Sequence, residues 1–154
     1  MNQGILYPLG YAAADAEQHL VARMQSSSIL LVDIRYRPYS RWRPYWNKRN
    51  LQARFGECYL HRQQLGNVNY QHPELPIQLL NPEQGIEDLV PLLEAGVSLV
   101  LLCACKHYAS CHRSLVVALL QKRLPDLEIK PQEMCAEQSS KERATYVNIA
   151  TQNQ

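Results

Sequence analysis

The sequence predicts a three-layer α/β domain with a mainly parallel sheet flanked by helices, on three observations. Two near-continuously apolar runs, Ile29 to Ile34 and Val97 to Cys103, have the character of strands buried on both faces. Segments with helical periodicity surround them, such as Leu20, Val21 and Met24 within residues 13–25. Strand and helix patterns alternate along the whole chain, as βαβ units require.

The elements follow in order. Residues 4–9 read as a first strand, with Pro8 expected near its end because proline lacks the ladder N–H. A helix over 13–25 precedes the second strand, Ile29–Ile34, and a short helix over 47–55 precedes a brief third strand, Glu57 to His61. Asn81-Pro82 starts the next helix, asparagine as cap and proline in the first turn, where no N–H partner is needed; Gly96 ends it. Val97 to Cys103 is a further strand. Ser110 is the expected cap of a helix from Cys111 to about Arg123, which Leu124-Pro125 stops. Leu127 to Lys130 is an expected edge strand, and the tail after Ser139 is polar with a helical reading.

A length of 154 residues fits one domain, with a core over about 4–131 and a polar tail over 139–154. The 46% apolar content excludes a wholly disordered chain. The longest apolar stretch, Val97 to Cys105, is nine residues, far below the about 20 that a membrane-spanning helix needs. No basic region followed by a long apolar run marks a secretory signal. Five cysteines are an odd number, and three of them fall between positions 103 and 111, an arrangement that argues against a disulfide scaffold. A reduced, cytoplasmic protein without membrane association is the expectation.

The formal charge of +2 hides an uneven distribution. Residues 35–54 hold seven basic side chains (Arg35, Arg37, Arg41, Arg43, Lys48, Arg49 and Arg54) and no acid, which leaves nine basic against 14 acidic residues elsewhere. A +7 segment is thus set on a −5 body. Its arginines are interleaved with Tyr36, Tyr39, Trp42, Tyr45 and Trp46, a composition that supplies phosphate contacts and stacking platforms for bases. It equally suits a lid closing on a small phosphorylated ligand, or a surface loop whose arginines stack on its own rings and pair with the acidic body.

The run Cys103-Ala104-Cys105-Lys106-His107-Tyr108-Ala109-Ser110-Cys111-His112-Arg113-Ser114 reads as strand end, loop and helix start. Unpaired N–H groups in the first helical turn, with Lys106, His112, Arg113 and the Ser110 or Ser114 hydroxyl, make a candidate oxyanion pocket. The same field favours a Cys111 thiolate, with His112 as its neighbour, so Cys111 and His112 are a candidate reactive pair, with Cys105 as the other candidate reactive thiol. The Cys-x5-Arg phosphatase signature is missing, since His107 stands six before Arg113. Cys103, Cys105, Cys111 and His112 also offer a metal-ligand set, but the Cys-x-Cys spacing is tighter than ligand pairs usually show, and no metal is assigned from the sequence. The plain alternative packs Cys103 and Cys105 as small apolar residues at the strand end.

Asp33, at the end of a buried strand, requires a partner. Arg35, two positions on, lies on the same strand face, so Asp33 is either a general base, an orienter of a pocket arginine, or half of a structural ion pair.

Taken together, Leu31-Val32-Asp33-Ile34-Arg35 with Pro38, Ser40 and Arg41, then His61 and Leu65-Gly66, then Leu102-Cys103-Ala104-Cys105-Lys106 and Cys111-His112-Arg113 resemble domain-of-unknown-function family 488. Ile5 to Tyr11 is similar to that family's first strand and Gly-aromatic turn, and the likeness runs from about residue 4 to 124. Ala12 stands where members often have Ser or Gly. The resemblance implies a small Rossmann-like domain of bacterial or archaeal type and a site drawn from Asp33, Arg35, Ser40, Arg41, Cys111, His112 and Arg113. It implies no reaction. The resulting expectation is a pocket for an anionic small molecule or nucleic acid at the ends of the two central strands. Asp33, Cys111 and His112 are its candidate catalytic groups; Arg35, Ser40, Arg41, Lys106, Arg113 and Ser114 hold the anion. The leading function is an enzyme on a phosphate-bearing, nucleotide-like or nucleic-acid substrate, the alternatives a nucleic-acid-binding module or a redox or sulfur-handling thiol protein. The cofactor is left open.

Overall fold

The computed structural model describes residues 2–105 and 107–132. Four strands, β1 (Leu6–Gly10), β2 (Ile29–Asp33), β3 (Tyr59–His61) and β4 (Ser98–Cys103), form one sheet in the order β1-β4-β2-β3, all parallel. Among the described residues the helices are α1 (Ala16–Arg23), α2 (Lys48–Phe55), α3 (Pro82–Glu94) and α4 (His112–Arg123), with single 3-10 turns at Pro44–Trp46, Gly56–Cys58, Gln63–Leu65 and Tyr108–Ser110. The predicted three-layer α/β, Rossmann-like architecture is the observed one.

The two apolar runs earn their length because each strand face meets a helix layer. Leu99, Leu101 and Cys103 of β4 pack with Leu89 and Leu93 of α3 and Val116 and Leu120 of α4. The alternate residues, Val100 and Leu102, pack on the other face with Leu20 of α1, Leu51 of α2 and Trp46. Asn81 caps α3 through its side chain, which accepts from the Gln84 N–H at 3.3 Å, and Pro82 stands in the first turn, as predicted. Gly96 supplies the positive φ of +90° that turns the chain from α3 into β4.

Four details differ from expectation. Pro8 lies in the middle of β1, not at its end. In this parallel edge strand the N–H groups of Leu6 and Gly10 point outward, to the Glu128 carbonyl and the Gln132 side chain, so the N–H that Pro8 lacks would face the open edge. Residues 127–130 do not form a full strand. They make one parallel bridge, Leu6 to Ile129, on that same edge. The cap of α4 is Cys111, not Ser110, because Ser110 belongs to the preceding 3-10 turn. α1 is shorter than 13–25, ending at Arg23. The tail over 139–154 lies outside the described residues. Among the described residues, no helix is long and apolar enough to cross a membrane.

Candidate functional site

β4 lies between β1 and β2, so the segments leaving all three strands meet at one sheet edge, the side where open parallel sheets hold ligands. Three bonds fasten them together. The Tyr11 N–H donates to the Cys103 carbonyl at 3.0 Å, the Ile34 N–H to the Leu102 carbonyl at 3.0 Å, and His112 Nε2 to the Ile34 carbonyl at 2.8 Å. The basic loop joins them through Arg43, whose guanidinium donates to the Tyr11 carbonyl at 2.9 Å.

Asp33 is fully buried and saturated with donors. Its carboxylate accepts from the Arg35 backbone N–H at 3.2 Å, from Arg35 Nε at 2.8 Å and Nη2 at 2.7 Å, and from the Tyr59 hydroxyl at 2.6 Å. A bidentate pair of this kind is strong and geometrically fixed. Arg35 also donates to the Trp46 carbonyl, and burial, which alone lowers its pKa, is outweighed by Asp33, so the guanidinium is held more firmly protonated than usual. Burial, then the Asp33 charge and hydrogen bond, push the Tyr59 hydroxyl well above its ordinary range. His61 donates to the Arg35 carbonyl at 2.8 Å, and Gly66 lies so close to the Tyr36 backbone that a Cβ would overlap it.

The cysteine turn forms a second cluster. Cys103 Sγ is 2.9 Å from Cys111 Sγ, and Cys111 Sγ is 3.7 Å from His112 Nδ1 and accepts from the Arg113 N–H at 3.4 Å. Burial and donation to its sulfur neighbours push the Cys103 thiol up. Hydrogen bonds from Cys103 and Cys105 draw the Cys111 thiol far down, against the effect of burial. Burial pulls the His112 imidazole down, but Cys105, Cys111 and the Ile34 carbonyl overcome it and raise it to about 9.

Arg113 is 1% exposed, and its Nε and Nη2 have no hydrogen-bond partner among the described residues. Its guanidinium lies 5.6 Å from the Tyr108 ring centroid and against Gly10. A Cβ at position 10 would overlap the Cys105 carbonyl and sit 2.7 Å from Arg113 Nη1, so glycine is what lets the β1 end, the cysteine turn and the guanidinium meet.

The other expected residues are placed as follows. The Ser40 hydroxyl accepts from the Arg43 N–H at 3.1 Å and shapes the loop. The Ser114 hydroxyl donates to the Cys111 carbonyl at 2.8 Å, a bond within the first turn. Arg41 is exposed with its guanidinium 5.2 Å from the Trp42 ring centroid, and no hydrogen bond or ion pair links it to the cysteine turn among the described residues. Lys106 lies outside the described residues. Sequence reasoning missed Gly10 as a contact point, Tyr11 (stacked on Trp46 at 5.3 Å) and Tyr59. Only the Gly10-Tyr11 pair carried a signal, as a tight turn after a strand.

No curated protein and no solved structure matches the chain. The profile of the family described as "Domain of unknown function DUF488" matches residues 16–120, which takes in the Asp33–Arg35 pair, the basic loop and the cysteine turn. The chain belongs to the DUF488 family.

Proposed function

We propose that the protein binds a phosphate-bearing, nucleotide-like or single-stranded nucleic-acid ligand at the carboxyl edge of its sheet, through the basic aromatic loop that follows Asp33. One observation carries this reading. Of the seven cations in residues 35–54, only Arg35 has a carboxylate partner; Arg37, Arg41, Arg43, Lys48, Arg49 and Arg54 make no ion pair among the described residues. A loop neutralised by its own acidic body would show such pairs. Trp42, 81% exposed with Arg41 over its ring, and Tyr39, 64% exposed, stand among these cations as solvent-facing rings for stacking. Asp33 serves the loop as orienter of Arg35, because its oxygens are already occupied by four donors.

The test is a titration of the full chain with a labelled single-stranded oligonucleotide and, separately, with a nucleoside monophosphate, at low and moderate salt. Binding that weakens steeply with salt and is impaired by Arg41→Ala and Trp42→Ala supports the reading. Absence of binding to both ligands at low salt removes it.

A second reading assigns turnover of that ligand to Cys111 and His112. The 3.7 Å approach of Cys111 Sγ to His112 Nδ1 at the start of α4 favours it. Incubation of the chain with nucleoside phosphates and oligonucleotides, followed by chromatography, shows product with the native chain and none with Cys111→Ser if it holds. Unchanged ligands in both samples dispose of it.

A further inference from the structure

Cys103 ends β4, Cys105 follows two residues later, Cys111 caps α4 and His112 opens its first turn. Their three sulfurs and one ring nitrogen all lie within 4.8 Å of one another. In a tetrahedral zinc site with Zn–S near 2.3 Å and Zn–N near 2.0–2.1 Å, neighbouring ligand atoms are about 3.5–3.8 Å apart. The separation of Cys111 Sγ from His112 Nδ1, 3.7 Å, already has that value. Cys103 Sγ and Cys111 Sγ, at 2.9 Å, would part by about 1 Å to share an ion.

Three features beyond the cluster itself fit a metal. His112 donates its Nε2 proton to the buried Ile34 carbonyl at 2.8 Å, which orients the ring so that Nδ1 faces the sulfurs and is the nitrogen that ligates once the ring is neutral; metal-ligating histidines are oriented in this way. The Arg113 N–H points at Cys111 Sγ from 3.4 Å, a donor suited to a thiolate. The third is charge. Arg113 is a buried cation with two unpartnered nitrogens, and no carboxylate pairs with it among the described residues. Three thiolates and a neutral imidazole around a divalent ion carry one net negative charge, which this guanidinium balances.

We propose that the chain binds one zinc ion through Cys103 Sγ, Cys105 Sγ, Cys111 Sγ and His112 Nδ1, with Arg113 as its buried counter-charge. The soft ligand set suits zinc, and four protein ligands make a closed, structural site that staples the loop between β4 and α4. Cys105, the exposed member, closes the rim. The inference does not rest on the ligand proposed above, whose binding is measured separately. With the ion bound, Cys111 and His112 are ligands and not a free reactive pair, so the binding reading is the one it accompanies.

Full-length chain, purified under reducing conditions without chelator or metal-affinity steps, is analysed for elements; zinc near one equivalent per chain is expected. After stripping by chelation, addition of cobalt(II) should give thiolate-to-metal charge-transfer absorption and the visible bands of tetrahedral coordination. Cys105→Ser, at an exposed position that the core does not need, should stay folded by circular dichroism and bind zinc about tenfold or more less tightly, since a ligand counts for no less than an outer partner. Cys58→Ser, at an exposed cysteine outside the cluster, should bind as the native chain does. Folded, reduced native chain that holds no zinc and gives no charge-transfer band with cobalt overturns the proposal. So does a Cys105→Ser chain that binds zinc as tightly as the native one, or a Cys103–Cys111 disulfide whose reduction restores no metal binding.

Discussion

His112 Nε2 donates to the Ile34 carbonyl at 2.8 Å, across 78 positions of sequence, and so ties the first turn of α4 to the carboxyl end of β2. Both groups are buried, which makes the bond a fastening between the cysteine turn and the strand that carries Asp33. His112→Ala leaves a buried carbonyl without its donor. It should cost about 1–3 kcal/mol, read from urea unfolding, even in chelator-treated protein. A loss within a few tenths of a kcal/mol would show that the tie contributes nothing.

Asp33 and Arg35 form a buried pair with Tyr59 as third member. Removing one charge strands the other, so Asp33→Asn is expected to destabilise by about 3–5 kcal/mol. Tyr59→Phe removes one hydrogen bond to a carboxylate and should cost about 1.5–3 kcal/mol. In the double variant the two effects should fall short of adding, because the tyrosine bond loses most of its worth once the charge is gone. Strict additivity would contradict a shared network.

Gly10→Ala places a methyl group on the Cys105 carbonyl and the Arg113 guanidinium. The Cys105 carbonyl belongs to the backbone and the Arg113 side chain is buried, so overpacking of about 1–3 kcal/mol is expected, together with reduced cobalt uptake if the turn shifts. Thermal unfolding of this variant beside Gly56→Ala makes a useful comparison. At Gly56 space is open, and only its φ of +56° opposes the change.

For ligand binding, the salt slope counts phosphates. Replacing Arg37 and Arg41 together should lower the magnitude of the slope of log K against log salt by about 1.4, at about 0.7 per contact on a single strand. Trp42→Ala should instead weaken binding by about 1–3 kcal/mol with the slope unchanged. Fluorescence anisotropy at several salt concentrations separates the two effects.

Much of the fold was readable in the residues because it follows local rules. Ile29–Ile34 and Val97–Cys103 are apolar enough to declare strands covered on both faces, and Asn81-Pro82 declares a helix start. Where reading failed, a long-range partner decided the outcome. Pro8 sits mid-strand because β1 is an edge, and Cys111 caps α4 because Ser110 is drawn into the preceding turn. Tyr59 carries no signal of its own in a three-residue strand. It reaches Asp33 because β3 pairs in parallel with β2.

By itself the sequence determined the alternation of strands and helices, the Asp33–Arg35 neighbourhood and the concentration of seven cations after β2, since each depends on residues close along the chain. Only the tertiary structure decided what those residues face. Order β1-β4-β2-β3 brings Gly10, Ile34 and Cys103 to one edge, and α4 then delivers Cys111, His112 and Arg113 onto it. A Cys-x-Cys spacing that looked too tight for a metal becomes part of a four-ligand cluster because the missing half comes from the next helix, and spacing along the chain does not record that approach.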